Sequence, residues 1–113
     1  MPFIDSRLTV KLTEHQKEEI RKELGGMISI LNKSETYLMI GIQDECDLSL
    51  GGKKLEKGAY VAVSLFGNAP KESYDRLTAR ICQLLSGKLG IPGEAVYVTY
   101  HPVSDWGWNG SNF

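Results

Sequence analysis

A strand–helix–strand phrase written twice leaves this chain of 113 residues few ways to fold. The two phrases are offset by about 57–59 residues. In the first, Phe3–Val10 alternates, with Ile4, Leu8 and Val10 on one side and Phe3, Asp5 and Arg7 on the other, as a strand does. Thr13-Glu14-His15-Gln16 has the form of a capping box. Ile20, Leu24, Met27, Ile28 and Leu31 then recur on one helical stripe. Gly25-Gly26 lies inside that helix at a cost of up to ~1 kcal/mol each relative to Ala, which points to close packing against a neighbour. Asn32-Lys33-Ser34 ends the helix, and Tyr37–Ile42 reads as a second strand. In the second phrase Tyr60–Phe66 is a strand apolar on both faces. Asn68 is a candidate cap, and Pro70 suits the first helical position. Tyr74, Leu77, Ile81, Leu84 and Leu85 form the stripe, Gly90 and Pro92 stop the helix, and Ala95–Tyr100 is the fourth strand. Each phrase predicts a right-handed crossover between two parallel strands.

The expected fold is α/β: a two-layer sandwich of two pseudo-repeated β-α-β units in one domain over residues 1–113. Its four-stranded mixed sheet carries two helices on one face. One helix layer covers one side only, and the other side, apolar in the third strand, predicts an oligomer that covers it. The ending HPVSDWGWNGSNF is too apolar to dangle and too turn-rich for a helix. It is expected to pack on a partner subunit or to wall a pocket between subunits.

Composition narrows the partners. A net charge of −1 with no basic block argues against nucleic acid and anionic membrane. No apolar run approaches a bilayer span, and MPFIDSR has no signal-peptide pattern, so a cytoplasmic location is expected. Cys46 and Cys82 have neither metal-ligand nor C-x-x-C spacing and read as reduced thiols. Asp44, Glu45 and Asp47 lack calcium-loop spacing and read as a solvated loop. His15 reads as surface, and His101 has no evident catalytic partner. Gly51-Gly52 has neither P-loop nor dinucleotide spacing. No metal or cofactor is expected. Pro2 is the unusual residue. Proline is tolerated at the start of a strand, but a small second residue also permits removal of Met1, which would give Pro2 a free secondary amine.

Pro2 after Met1, Lys33 in the turn after the first helix, Leu50-Gly51-Gly52, Val96-Tyr97 and the closing Gly107-Trp108-Asn109-Gly110-Ser111-Asn112-Phe113 together resemble the macrophage migration inhibitory factor family. This is the branch of the tautomerase superfamily that includes D-dopachrome tautomerase. The resemblance spans the whole chain and implies a homotrimer. It also implies keto–enol tautomerisation of arylpyruvates such as phenylpyruvate, and of dopachrome-like compounds, with the N-terminal proline as acid/base in a pocket between subunits. Such a base needs a pKa near working pH, below that of an ordinary secondary amine. Burial among Phe66, Trp106, Trp108 and Phe113, with the charge of Lys33, would depress it.

By the same resemblance Lys33 binds the substrate carboxylate, whereas on its own it reads as a solvated turn lysine. Tyr97 would reach a neighbouring subunit's pocket, or simply pack in its strand. Tyr37 would line the pocket mouth or serve a cross-strand role. The chain departs from the family at Thr99, where Asn is usual, which weakens any bond to a phenolic substrate oxygen. Trp106 replaces a small branched residue and reshapes the pocket, and Phe66 replaces an isoleucine. Lys53-Lys54 adds charge after the glycines, and Lys57–Tyr60 stands where some members carry C-x-x-C. The resemblance also holds open a second function, a cytokine-like or host-interaction protein that binds a protein receptor through its surface. Such a protein would be secreted without a signal peptide and would have weak or lost catalysis.

Overall fold

The computed structural model describes residues 1–113. Its main sheet holds β1 (Pro2–Leu8), β2 (Met39–Gln43), β5 (Ala59–Phe66) and β6 (Val96–Val103) in the order β2-β1-β5-β6. Two two-stranded hairpins complete the strands: β3 (Ser49–Leu50) with β4 (Lys53–Lys54), and β7 (Gly107–Trp108) with β8 (Ser111–Asn112). The helices are α1 (Glu14–Met27) and α2 (Lys71–Leu89). β1 pairs with β2 and β5 with β6 in parallel, while β1 and β5 run antiparallel, so the repeated phrases meet along the middle of a mixed sheet.

Ile4 and Leu8 of β1, Val61, Val63 and Leu65 of β5, and the stripes Ile20, Leu24, Met27 and Leu77, Ile81, Leu85 form one core cluster. Burying each such side chain contributes about 1.5–3 kcal/mol. Thr13 caps α1 with the reciprocal Gln16 bonds of a capping box. The stripe beyond Met27 is a 3-10 turn, Ile28–Leu31, rather than a continuation of α1, and Asn32 closes it in the left-handed conformation at φ 58°.

Several boundaries differ from the sequence expectation. β1 takes in Pro2 and stops at Leu8. Tyr37 lies in a 3-10 turn, Glu35–Tyr37, which Ser34 caps by accepting from the Thr36 N–H, and β2 starts only at Met39. Pro70, not Asn68, holds the N-cap position of α2. β6 runs on to Val103, through Pro102, which an edge strand permits. The glycine pair divides: a Cβ on Gly25 would collide with the Glu35 carboxylate, whereas one on Gly26 would meet nothing.

β5 alternates strictly, with Ala59, Val61, Val63 and Leu65 buried and Tyr60, Ala62, Ser64 and Phe66 partly exposed. The face it shares with Phe3, Asp5, Met39, Tyr97, Thr99 and His101 is therefore mixed rather than uniformly apolar. Met39 is 67% exposed and Tyr97 61%. No helix of the chain is long and apolar enough to cross a membrane.

Candidate functional site

Pro2 is buried and pairs with Leu65 at the end of the antiparallel ladder, next to the N-terminus. Two interactions with one residue organise this end of the sheet. The Phe66 N–H donates to the Met1 carbonyl at 3.1 Å, which continues the β1–β5 pairing one residue further. The Phe66 carbonyl accepts from Lys33 Nζ at 2.8 Å. The turn after α1 thus delivers a cation to the backbone that also fixes the chain start. Burial first, and the charge of Lys33 second, lower the pKa of the Met1 α-amine from its ordinary value.

The hairpin β7–β8 supplies the aromatic walls. Its turn residues Asn109 (φ 51°) and Gly110 (φ 89°) are both left-handed, as a tight two-residue hairpin turn requires. The Phe113 N–H donates to the Trp106 carbonyl at 3.1 Å and closes the hairpin base. Trp108 meets Tyr37 edge-on at 5.5 Å, and Phe113 tilts against Phe66 at 5.5 Å. The tail therefore packs on its own subunit, with Trp108 49% and Phe113 55% exposed.

Between these parts runs an open groove of about 400 Å³. Met1 and the first β1 residues Pro2 and Phe3 line it on one side, Thr36, Tyr37 and Leu38 before β2 with Met39 at its start on another, and Trp106, Gly107 and Trp108 at the hairpin. No charged side chain lines it. Lys33 and Phe66 are tied to Met1 of the groove through the Phe66 backbone, and Phe113 joins them through its ring contact with Phe66. Phe3, Leu38 and Met39 went unnoticed as groove residues in the sequence, where they read as ordinary strand positions. Their adjacency to Pro2 and Tyr37 was the available signal.

Tyr97 and Thr99 are elsewhere in the same chain. Pro102, five residues beyond Tyr97, is the residue of β6 level with Leu65 and Pro2. That separation is about 16 Å at strand rise. Tyr97 instead borders a smaller apolar pocket of about 140 Å³ with Tyr60, Leu48, Leu50 and Leu55. Thr99 Oγ1 is engaged by the Tyr60 hydroxyl at 2.8 Å and by His101 Nε2 at 2.8 Å. His101 thus has a hydroxyl partner that its isolation in the sequence concealed. Asp44 is likewise employed: its carboxylate accepts the Leu12 N–H at 2.8 Å, and this bond holds its pKa below the usual carboxylate value.

Chemically, the groove end offers an amine whose charged form is disfavoured, a lysine whose charge reaches it, and largely apolar walls that include Tyr37, Trp106 and Trp108. Such a set suits proton or carbonyl chemistry on a small aromatic anion.

The whole chain, residues 1–113, matches the family model described as macrophage migration inhibitory factor. A macrophage migration inhibitory factor homolog of Trichinella spiralis is 27% identical over 115 residues, covering 100% of both chains. Among solved structures, the Leishmania major protein described as MIF2 superposes with a TM-score of 0.92 at 30% identity, over 100% of this chain and 97% of that one. The macrophage migration inhibitory factor-like protein of Entamoeba histolytica gives 0.88 at 27% identity, over 99% and 98%.

Proposed function

The chain belongs to the macrophage migration inhibitory factor family, and from that premise we propose that it is a keto–enol tautomerase of arylpyruvates such as phenylpyruvate, and of dopachrome-like compounds. Pro2 is the acid/base once Met1 has been removed. The family and its fold support isomerase chemistry in general. The observation that carries the finer reading is the placement of Pro2, buried at the head of β1 and lining the groove, with Lys33 held at 2.8 Å on the neighbouring Phe66 carbonyl; burial and Lys33 lower the pKa of the amine that precedes it. A Pro2 amine would stand one residue further in, at a position that is itself buried.

In this reading the neutral Pro2 nitrogen takes a proton from the carbon next to the keto group. The Pro2 ammonium so formed gives that proton to the enolate oxygen, which leaves the amine neutral again, and the reverse sequence restores the ketone. Each unit of pKa depression costs the charged amine about 1.36 kcal/mol, so a shift of a few units lies within what burial and one cation provide. The proline ring fixes the direction of the lone pair. Lys33 keeps two ammonium protons beyond the one given to Phe66 and holds the substrate carboxylate. Trp106, Trp108 and Tyr37 take the ring. Transfer of a proton between carbon and oxygen calls for no redox partner. A homotrimer would cover the mixed face of the sheet and bring Tyr97 of one copy to the groove of the next, with Thr99 behind it.

The test is an ultraviolet assay of phenylpyruvate tautomerisation on protein whose N-terminus is verified by intact mass. The processed chain should turn over, and Pro2→Gly or retention of Met1 should abolish it. Equal rates in all three samples would reject Pro2 as the base. Pro2→Gly should leave any receptor binding of the cytokine-like kind untouched, which separates that second role from catalysis.

A further inference from the structure

Gly67, the residue after β5, has its φ at 79°, in the left-handed region, and a Cβ placed on it would find only Lys33 Nζ, at 4.0 Å. Room is therefore not what calls for glycine there; the backbone angle is. We propose that Gly67 is a positioning residue, whose left-handed turn aims the Phe66 carbonyl at Lys33 and so holds the ammonium at the groove. What this does to turnover rests on the tautomerase reading, whereas the hold on Lys33 does not.

One peptide unit carries the inference. The bond between Phe66 and Gly67 is trans, so its C=O and N–H point opposite ways. On one side the Phe66 carbonyl accepts from Lys33 Nζ at 2.8 Å. On the other the Gly67 N–H donates to the Val103 carbonyl at 2.9 Å, where β6 ends and the chain leaves for Trp106. The same plane thus ties the turn after α1 to the stem of the aromatic hairpin. Lys33 forms no ion pair within the chain, and this carbonyl is what fixes its long side chain.

The angle at Gly67 decides where that plane faces. Before it, β5 is locked by Leu65 opposite Pro2 and by Phe66 opposite Val103. After it only Asn68, Ala69 and Pro70 precede α2, whose Leu77 and Ile81 lie in the core. Pro70 is held at φ −62° by its ring, and the Ala69 N–H donates to the Tyr74 hydroxyl at 3.2 Å. The reversal of direction therefore falls on Gly67. A side chain there makes the positive φ unfavourable. With both flanks fixed, the strain is relieved by rotation of the last peptide, which turns the Phe66 carbonyl away from Lys33. The ammonium then returns to solvent, and its charge no longer bears on the amine.

The experiment compares the unaltered chain with Gly67→Ala, Gly67→Asn and Gly90→Ala. Asn accepts the left-handed region, as Asn32 and Asn109 do at φ 58° and 51° in this chain. Gly90 is left-handed too, at φ 68°, but closes the end of α2. Limiting N-hydroxysuccinimidyl acetate, followed by peptide mass spectrometry, measures how far Lys33 is protected relative to the other lysines. Gly67→Ala should raise Lys33 acetylation several-fold, with the circular dichroism spectrum unchanged. In the processed chain it should also move the base limb of kcat/KM to higher pH and raise KM for phenylpyruvate. Gly67→Asn should retain the original acetylation and limb, and Gly90→Ala should lower only the thermal midpoint. Lys33 acetylation unmoved by Gly67→Ala would overturn the proposal. So would an equal rise in Gly67→Asn or Gly90→Ala, and so would raised acetylation beside an unmoved pH limb. Absence of turnover in every sample would remove the tautomerase reading, and acetylation would still decide whether Gly67 holds Lys33.

Discussion

Lys33 acts on the terminal amine through space, and the sign of its effect is fixed. A neighbouring cation disfavours the protonated amine, so its removal must raise the amine's pKa. In the processed chain Lys33→Gln should therefore move the limb of kcat/KM against pH that reports the free base to higher pH, and should also raise KM. Lys33→Arg keeps the charge and should keep the limb near its original position. A pH profile unmoved by Lys33→Gln would detach Lys33 from the base. Tyr100 offers a contrast on the helix-covered side of the sheet, outside the groove lining. It stacks on Tyr74 at 4.4 Å, donates to the Tyr74 carbonyl at 2.9 Å and shares a 2.7 Å bond with Thr78. Burial, its largest influence, pushes the phenol pKa up. Tyr100→Phe keeps the stacking and loses the hydroxyl, so urea unfolding should show a loss of about 1–2 kcal/mol. Turnover should stay unchanged.

At the scale of elements, the hairpin β7–β8 is the wall that the groove depends on, and its turn is its weak point. Gly110 adopts φ 89°, a conformation that costs a side-chain-bearing residue about 1–2 kcal/mol. Gly110→Ala should loosen Trp106 and Trp108 and raise KM for phenylpyruvate several-fold, with the thermal midpoint little moved because the core lies elsewhere. A lowered midpoint with unchanged KM would mean that the hairpin supports the fold rather than the site. The duplicated phrase was readable because its long elements carry period and caps: Thr13 and Gln16 announce α1, and the stripes of both helices are the core. The short hairpins were not, since two-residue strands have no period to detect. Gly51-Gly52 is the tip of β3–β4, with both φ values positive, yet the sequence reading uses the pair as a mark of the resemblance and tests it against phosphate and dinucleotide loops, without reading a hairpin there. Tyr37 read as strand because it adjoins an apolar run, but the Ser34 cap turns the chain first. The groove combines three stretches distant in sequence, and nothing local marks their meeting. Pro2, Lys33 and Trp108 were legible through the resemblance, whereas Phe3, Leu38 and Met39 had no such marker.

The whole molecule poses the question of where Tyr97 works. Within one chain it stands some five rungs from Pro2, 61% exposed, on a face that no helix covers. Met39, Leu50 and Tyr37 are also large, apolar and substantially exposed. Leaving such groups in water is costly for a lone subunit, and a closed ring of copies would remove them together. If that ring joins the groove of one copy to Tyr97 of the next, each working site draws Pro2 from one chain and Tyr97 from its neighbour. Two defective chains should then repair each other. Pro2→Gly and Tyr97→Ala proteins, each of low activity alone, would be unfolded together and refolded as a mixture. In random assemblies about a quarter of the interfaces then pair an intact Pro2 with an intact Tyr97. Activity should rise toward that fraction of wild type. Sedimentation of the same mixture would report whether assemblies form at all. A mixture no more active than its parts, in a preparation that does assemble, would confine Tyr97 to its own strand.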